Sequence, residues 1–206
     1  MMMSEVPEIH PVVEGYGEVE AVRVLLPRVL DHLGEQHVPI GPPIRHPRSK
    51  LVTKEGIEKV VGIAKRRPRC GAVLIIFDAD DDCPRTLGPQ LRLWAEQAAG
   101  STVVGLILAR SEYESWFLAS IESIRGKRGV SPTAPVVPDP ESIRDAKGWL
   151  SRQMPALHPY KETTDQPALS AEINIKSALS RSRSFRKLVK EVEQVARNMN
   201  IPRSPA

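Results

Sequence analysis

The sequence predicts an α/β fold built on a parallel sheet, and three observations carry that prediction. Two apolar runs, residues 72–77 and 103–109, are short, rich in β-branched side chains and bounded by turn formers, as strands buried on both faces of a parallel sheet are. Around them lie stretches whose apolar residues recur with the 3.6-residue period of a helix. The two patterns alternate along the first half of the 206-residue chain, an order that implies right-handed crossovers within one sheet.

Residues 8–14 (EIHPVVE) predict a short first strand ended by Gly15, with Pro11 restricting it to an edge position or marking a bulge. Residues 18–33 put Val22, Leu25, Leu26, Val29, Leu30 and Leu33 on one helical face, and Pro27 should kink that helix. Residues 34–50 hold four prolines and predict a loop with a short strand near 40–45. Thr53 can cap a helix that runs to about residue 67, with Ile57, Val60, Val61 and Ala64 facing inward. After the strand at 72–77, residues 84–99 predict a helix stopped by Gly100. After the strand at 103–109, residues 112–124 (EYESWFLASIESI) predict another, with Trp116 and Phe117 in the core.

The second half changes character. Residues 129–140 contain four prolines and read as a linker or long ordered loop, dividing an α/β core at 1–128 from a helical extension at 129–206. Helices are predicted at about 140–154, 168–179 and 184–199. Phe185, Leu188, Val192, Val195 and Met199 form a stripe on the last one that needs a partner, so the extension should pack on the core.

Composition narrows the class. Apolar residues make up 41% and charged residues 26%, which suits a packed domain and excludes wholesale disorder. No apolar run reaches the ~20 residues of a membrane-spanning helix, and residues 1–10 lack the pattern of a secretory signal. Two cysteines, Cys70 and Cys83, cannot supply a disulfide framework or a four-ligand zinc site, and the five histidines lack ligand spacing. A reducing cytoplasm is the expected location.

Charge is unevenly placed. The formal net charge is +4, from 29 basic and 25 acidic residues. Residues 44–69 hold nine Lys or Arg against Glu55 and Glu58, and residues 181–206 hold seven against Glu191 and Glu193. Acid instead bunches at Asp78, Asp80, Asp81 and Asp82. Basic flanks around an acidic knot suit a polyanion held beside a cation, although solubility alone would also favour them.

In an open parallel sheet the carboxyl ends of the strands gather along one edge. Glu14 closes the first strand, Asp78 and Asp80 close the middle one, and Glu112 follows the last across a turn. Such carboxylates repel unless a cation lies among them, and oxygen donors without His or Cys favour Mg²⁺ or Mn²⁺. Strand alternation aims Asp78 and Asp80 the same way only while strand geometry persists. Asp82 continues that spacing as a reserve ligand.

In Glu14-Gly15-Tyr16-Gly17-Glu18 two glycines permit a sharp turn bracketed by carboxylates. The segment lacks the Lys-Ser/Thr of a P-loop and the third glycine of a dinucleotide fingerprint. Glu18 is either a ligand or a first-turn acid favoured by the helix dipole. Glu112 and Glu114 do not share a helical face once the helix has begun, so at most one faces the site. Glu112, nearer the strand end, is the candidate, unless it serves as a cap partner to Ser111. Lys147 and Lys161 could stabilise a phosphate or could be solvated surface residues.

EGYGE after a first strand, IIFDADDD after a middle strand and SEYESWF after the next together resemble the Toprim (topoisomerase–primase) domain. More closely, they resemble small bacterial Toprim-like proteins related to the overcoming-lysogenization-defect nucleases. Residues 146–148 (AKG), Tyr160-Lys161 and residues 184–186 (SFR) are similar as well, so the resemblance runs from Glu8 to about Val195. It implies a Toprim-like Rossmannoid sheet and a Mg²⁺- or Mn²⁺-dependent phosphodiester site. Glu14 would serve in acid–base work and metal binding, Asp78 and Asp80 in metal binding, and Glu18 as the second glutamate of the nuclease-like branch. The implied activity is a nuclease-type phosphodiesterase acting on nucleic acid, DNA before RNA, in bacterial defence or repair with a separate ATPase. The alternative is a non-catalytic Toprim-like module that binds metal, nucleic acid or a partner ATPase. A small-molecule phosphoesterase is disfavoured by the wide spread of basic residues.

Overall fold

The computed structural model describes residues 6–201; residues 1–5, half of the stretch expected to lack a secretory signal, and residues 202–206 lie outside the described part. Four strands form one all-parallel sheet in the order β2-β1-β3-β4: β1 (Glu8–Val13), β2 (Ile44–Arg45), β3 (Cys70–Asp78) and β4 (Val103–Ala109). Helices cover both faces. The expected α/β class with a parallel sheet is therefore what the chain adopts.

Pro11 sits in an interior strand, contrary to the edge expectation, and the pairing pattern shows why it is tolerated. Ile9 and Val13 turn their backbone groups toward the β2 side: Ile9 N–H donates to Pro39 O, Ile9 O accepts from Gly41 N–H, and Val13 O accepts from His46 N–H. Pro11, midway between them, faces the same side by alternation and so needs no N–H toward β3. The regular β2 pairing begins only at Val12 and Ile44, beyond the Pro42-Pro43 pair. A register irregularity also falls between Glu8 and Ile9.

Alternate residues of the central strands feed two cores. Leu74, Ile76, Ile107, Ile9 and Val13 pack with helix α1 (Tyr16–Leu33) and with later helices on one face. Val73, Ile75, Phe77, Leu106 and Leu108 pack with α3 (Lys54–Lys65) and α4 (Pro84–Ala99) on the other, past the short α2 (Arg48–Leu51). Thr53 caps α3 as predicted, its hydroxyl accepting the Gly56 N–H. Helix α1 runs unbroken past Pro27, which lies on its exposed side.

Differences concentrate in the second half. The helix expected at 112–124 divides at Ser120 (φ −125°, ψ 30°) into α5 (Ser115–Ala119) and α6 (Ile121–Ile124). The one expected at 140–154 is a 3-10 turn (Pro140–Ser142) followed by α7 (Ala146–Arg152), capped by the Asp145 side chain on Gly148 N–H. The one expected at 168–179 is replaced by α8 (Glu162–Ser170) and α9 (Ile175–Arg181). Helix α8 is short, polar and interrupted by Pro167, so it has little helical periodicity to reveal it. It is fixed by tertiary contact instead: Gly17 of α1 presents no Cβ, and one placed there would meet the Cβ and carbonyl oxygen of Glu162, each at 2.9 Å.

The last helix, α10 (Arg183–Asn198), is capped by Ser182 on Phe185 N–H. Its Phe185, Leu188, Val192 and Val195 join the same buried cluster as α1 and the sheet. Trp116 and Phe117 are fully buried there, and Phe185 meets Trp116 edge-on at 5.6 Å. Among the described residues no helix is long and apolar enough to cross a membrane. Because α10 shares the sheet's core, Phe185→Ala should cost about 3–5 kcal/mol, as large-to-small changes in a buried ring do. Urea unfolding followed by circular dichroism should show one cooperative transition at a lower midpoint; an unchanged midpoint would show that α10 is not part of the core.

Candidate metal centre

The strand order reverses direction between β1 and β3, and ligands of open parallel sheets bind in the crevice beyond the carboxyl ends at such a point. Glu14 directly follows β1, Asp78 is the last residue of β3, and Glu18 stands in the first turn of α1. One carboxylate oxygen from each of the three lies within 4.8 Å of those of the other two. Glu18 and Asp78 are buried and Glu14 is half-buried. Gly15 makes the arrangement possible, because a Cβ there would collide with the carboxylate of Glu18 folded back over it.

Glu14 Oε2, Glu18 Oε2 and Asp78 Oδ2 are buried and have no hydrogen-bond partner. Asp78 Oδ1 accepts the Tyr113 N–H at 2.8 Å, which fixes the carboxylate in place. Burial, then the charges of Glu18 and Asp80, push the Glu14 carboxyl up to about 7. Burial also raises Glu18. Asp78 is raised well above the usual carboxylate range by burial and then by Glu114 and Glu14.

A cation reaches the group from α7. Lys147 Nζ on α7 lies 3.8 Å from Asp78 Oδ2 and 2.9 Å from Glu162 Oε1. Burial opposes its charge, yet Glu114, Asp78 and Glu162 hold its pKa above the ordinary lysine value, so it stays an ammonium. Three hard oxygen donors from separate elements, each with a buried oxygen that accepts no hydrogen bond, fit a Mg²⁺- or Mn²⁺-sized cation.

Of the residues singled out in the sequence, the structure brings Glu14, Glu18, Asp78 and Lys147 together. Asp80 and Asp82 lie outside the three-carboxylate group. Strand β3 ends at Asp78, and Asp80 takes a left-handed conformation (φ 50°), which breaks the alternation that would have aimed it beside Asp78. Arg48 then holds the loop: its guanidinium donates to Asp78 O and Ala79 O and pairs with both Asp80 and Asp82. Asp80 nonetheless remains near enough for its charge to act on Glu14. Lys161 is exposed and its N–H donates to Asp165.

Glu112 is also placed elsewhere. Its Oε2 accepts the Lys147 N–H at 3.0 Å and so caps α7 rather than joining the carboxylate group. The glutamate that presses on Asp78 is Glu114, fully buried, with Oε1 accepting from Tyr160 Oη at 2.7 Å and Gln166 Nε2 at 3.1 Å. Burial pushes the Glu114 carboxyl up to about 7, while Lys147 and the Tyr160 hydroxyl pull the other way. Its Oε2 is a further buried oxygen without a partner. Both acids precede the helix, which begins only at Ser115, so helical faces do not distinguish Glu112 from Glu114. Arg48 and Gln166 carried no local signal, and Tyr160 stood out only through the resemblance of Tyr160-Lys161.

Fold and site together define an α/β protein with a buried carboxylate–lysine centre at the switch point of a parallel sheet. The chain belongs to the family described as the domain of unknown function DUF4276, which it matches over residues 13–193. No curated protein and no solved structure matches it.

The raised carboxyls set a pH dependence. Their folded-state pKa values lie above the unfolded ones, so the native state keeps protons that the unfolded chain has released, and stability falls as pH rises between them. For Glu14 that window runs from 4.5 to about 7. In EDTA, thermal unfolding should therefore lose stability across this range, by roughly 1–2 kcal/mol for Glu14 after allowing for solvent screening. Millimolar Mg²⁺ or Mn²⁺ should raise Tm most at the upper end of the window and flatten the profile. Equal Tm values with and without cation at pH 7.5 would count against a formed metal centre.

Proposed function

We propose that the protein is a divalent-metal-dependent phosphodiesterase of nuclease type acting on nucleic acid. The observation that carries this reading is the convergence of Glu14, Glu18 and Asp78, each with an unpartnered buried oxygen, beside the ammonium of Lys147. The resemblance of EGYGE, IIFDADDD and SEYESWF to Toprim-like nucleases supports it, as do the basic stretches that flank the acidic knot.

A bound Mg²⁺ or Mn²⁺ would offset phosphate charge and lower the pKa of an attacking water. Glu14, Glu18 and Asp78 are the residues that would hold it. Glu14, the least buried of the three, is the one placed to exchange a proton with solvent. Lys147, anchored by Glu162, offers a fixed positive charge to a non-bridging phosphate oxygen. Tyr160 and Gln166 position Glu114, and Tyr113 N–H orients Asp78.

One observation favours a second reading. Lys147 is itself a cation inside the acidic group, and such a built-in charge suits a non-catalytic module that binds nucleic acid or an ATPase partner. The two readings separate in a cleavage assay on DNA and RNA with Mn²⁺, with and without a partner ATPase. Asp78→Asn should abolish cleavage while oligonucleotide affinity stays within about twofold, because amides do not hold the cation whereas basic surfaces supply the affinity. Lys147→Met should slow cleavage by about 10²-fold or more. Cleavage unchanged in Asp78→Asn would refute the assignment, and a wild-type chain inactive under every condition would leave the binding module.

A further inference from the structure

A second charged site lies across the acidic loop from the metal centre. The end of β4, the start of α4, residues 139–142 and the start of α10 enclose a cavity of about 680 Å³. Six cationic side chains line it against two acidic ones. Glu141, one of the two acids, does not neutralise the cations. It turns to the start of α10, where Oε1 accepts the Ser182 hydroxyl at 2.7 Å and the Ser184 N–H at 2.6 Å. Arg181 and Lys187 are paired with Glu122 and Glu191, outside the lining. Arg85, Arg110 and Arg183 are exposed and have no carboxylate partner among the described residues.

Two further features favour an anion. Helix α4, 16 residues long, begins at this cavity with no carboxylate on its first turn, so its positive end adds to the arginine charge, whereas that of α10 is met by Glu141. Leu108 and Pro84 give it an apolar wall as well, which a sugar can cover. The cavity is much larger than a lone phosphate requires, and arginine's planar fork suits phosphate oxygens taken two at a time. It also adjoins the metal centre through one loop: Cys83 follows that loop, and Arg110 precedes Ser111, whose carbonyl accepts the Asp80 N–H at 3.0 Å.

We infer that this cavity is a subsite for the sugar–phosphate backbone of the strand whose scissile phosphodiester lies at the metal centre, with Arg85, Arg110 and Arg183 as its phosphate ligands. The inference rests on the nuclease reading for the strand's destination, but its test does not depend on cleavage. Cys83 lines the cavity and is exposed, whereas Cys70 lies half-buried at the opposite end of β3. The two free thiols are therefore a probe and its internal control.

The experiment alkylates the wild-type chain with iodoacetamide in EDTA at low salt, with and without a ten-nucleotide single strand of DNA or RNA. Mass spectrometry then reads each cysteine. The expected result is a several-fold slower reaction at Cys83 and an unchanged rate at Cys70. In parallel, Arg85→Ala and Arg183→Ala, both surface changes, should weaken oligonucleotide binding and lower its log–log salt slope by about 0.7 for each arginine removed. Arg23→Ala, outside the cavity, should alter neither. Oligonucleotide binding without protection of Cys83 and with unchanged slopes would overturn the subsite and leave the metal centre standing. Protection by the oligonucleotide in a chain that never cleaves would overturn the nuclease reading and leave the subsite. No oligonucleotide binding, or protection by polyglutamate alone, would overturn the subsite in favour of an acidic protein partner.

Discussion

Glu14, Glu18 and Asp78 share a volume where like charges repel and water is largely excluded, and the surrounding structure is arranged around that repulsion. Unpaired carboxylates in such a place either take up protons or acquire a cation. Both responses are visible. The carboxyls of Glu14, Glu18, Asp78 and Glu114 are all pushed upward, and Lys147 is held as an ammonium against the cost of its own burial. The carboxylates of such a site stay under a mutual repulsion that Lys147 offsets only in part.

The demands of this centre account for the helices that follow the sheet. Lys147 comes from α7, whose start is fixed by Glu112 and Asp145 accepting backbone N–H groups. Glu162 and Gln166 come from α8, brought close by the missing side chain of Gly17. Tyr160 reaches Glu114 from the approach to that helix. Helix α10 closes the core behind them through Phe185 and Trp116, and its Ser184 accepts the indole N–H at 2.9 Å. The second half of the chain thus supplies both the cation that faces the sheet's acids and the hydrogen bonds that hold Glu114 in place.

Arg48 has the opposite task. It ties down Asp80 and Asp82 and the carbonyl groups of Asp78 and Ala79, so the acidic loop is stitched to the β2 side of the sheet while Ala79 and Asp80 N–H groups bond to the end of β4. The outcome is a division of a continuous acidic run. Asp78 points into the buried centre, and Asp80 and Asp82 are paired with Arg48 nearer the surface. On the far side of the same loop the charge reverses to the arginines of the cavity, so one short segment separates an acidic cluster from a basic one.

The strands, the first helices and the gathering of Glu14 and Asp78 at one edge were legible in the sequence. Their signals are local: a buried strand needs β-branched runs, a helix needs its 3.6-residue stripe, and parallel strands bring their carboxyl ends together by topology. Which acid at each strand end faces inward was decided only by the tertiary structure, since the sequence set Asp80 beside Asp78 and favoured Glu112 over Glu114. Asp78 rather than Asp80 follows from one left-handed residue and from Arg48, 30 positions away from Asp78. Glu114 rather than Glu112 follows from where α5 begins and from Tyr160 and Gln166 across the fold. Helix α8 was hidden because its place is set by Gly17 rather than by its own weak periodicity. Residue type and period fix which elements form and which edge they share. The direction of a single side chain at a loop is decided by partners distant in sequence, and only the tertiary structure brings those partners together.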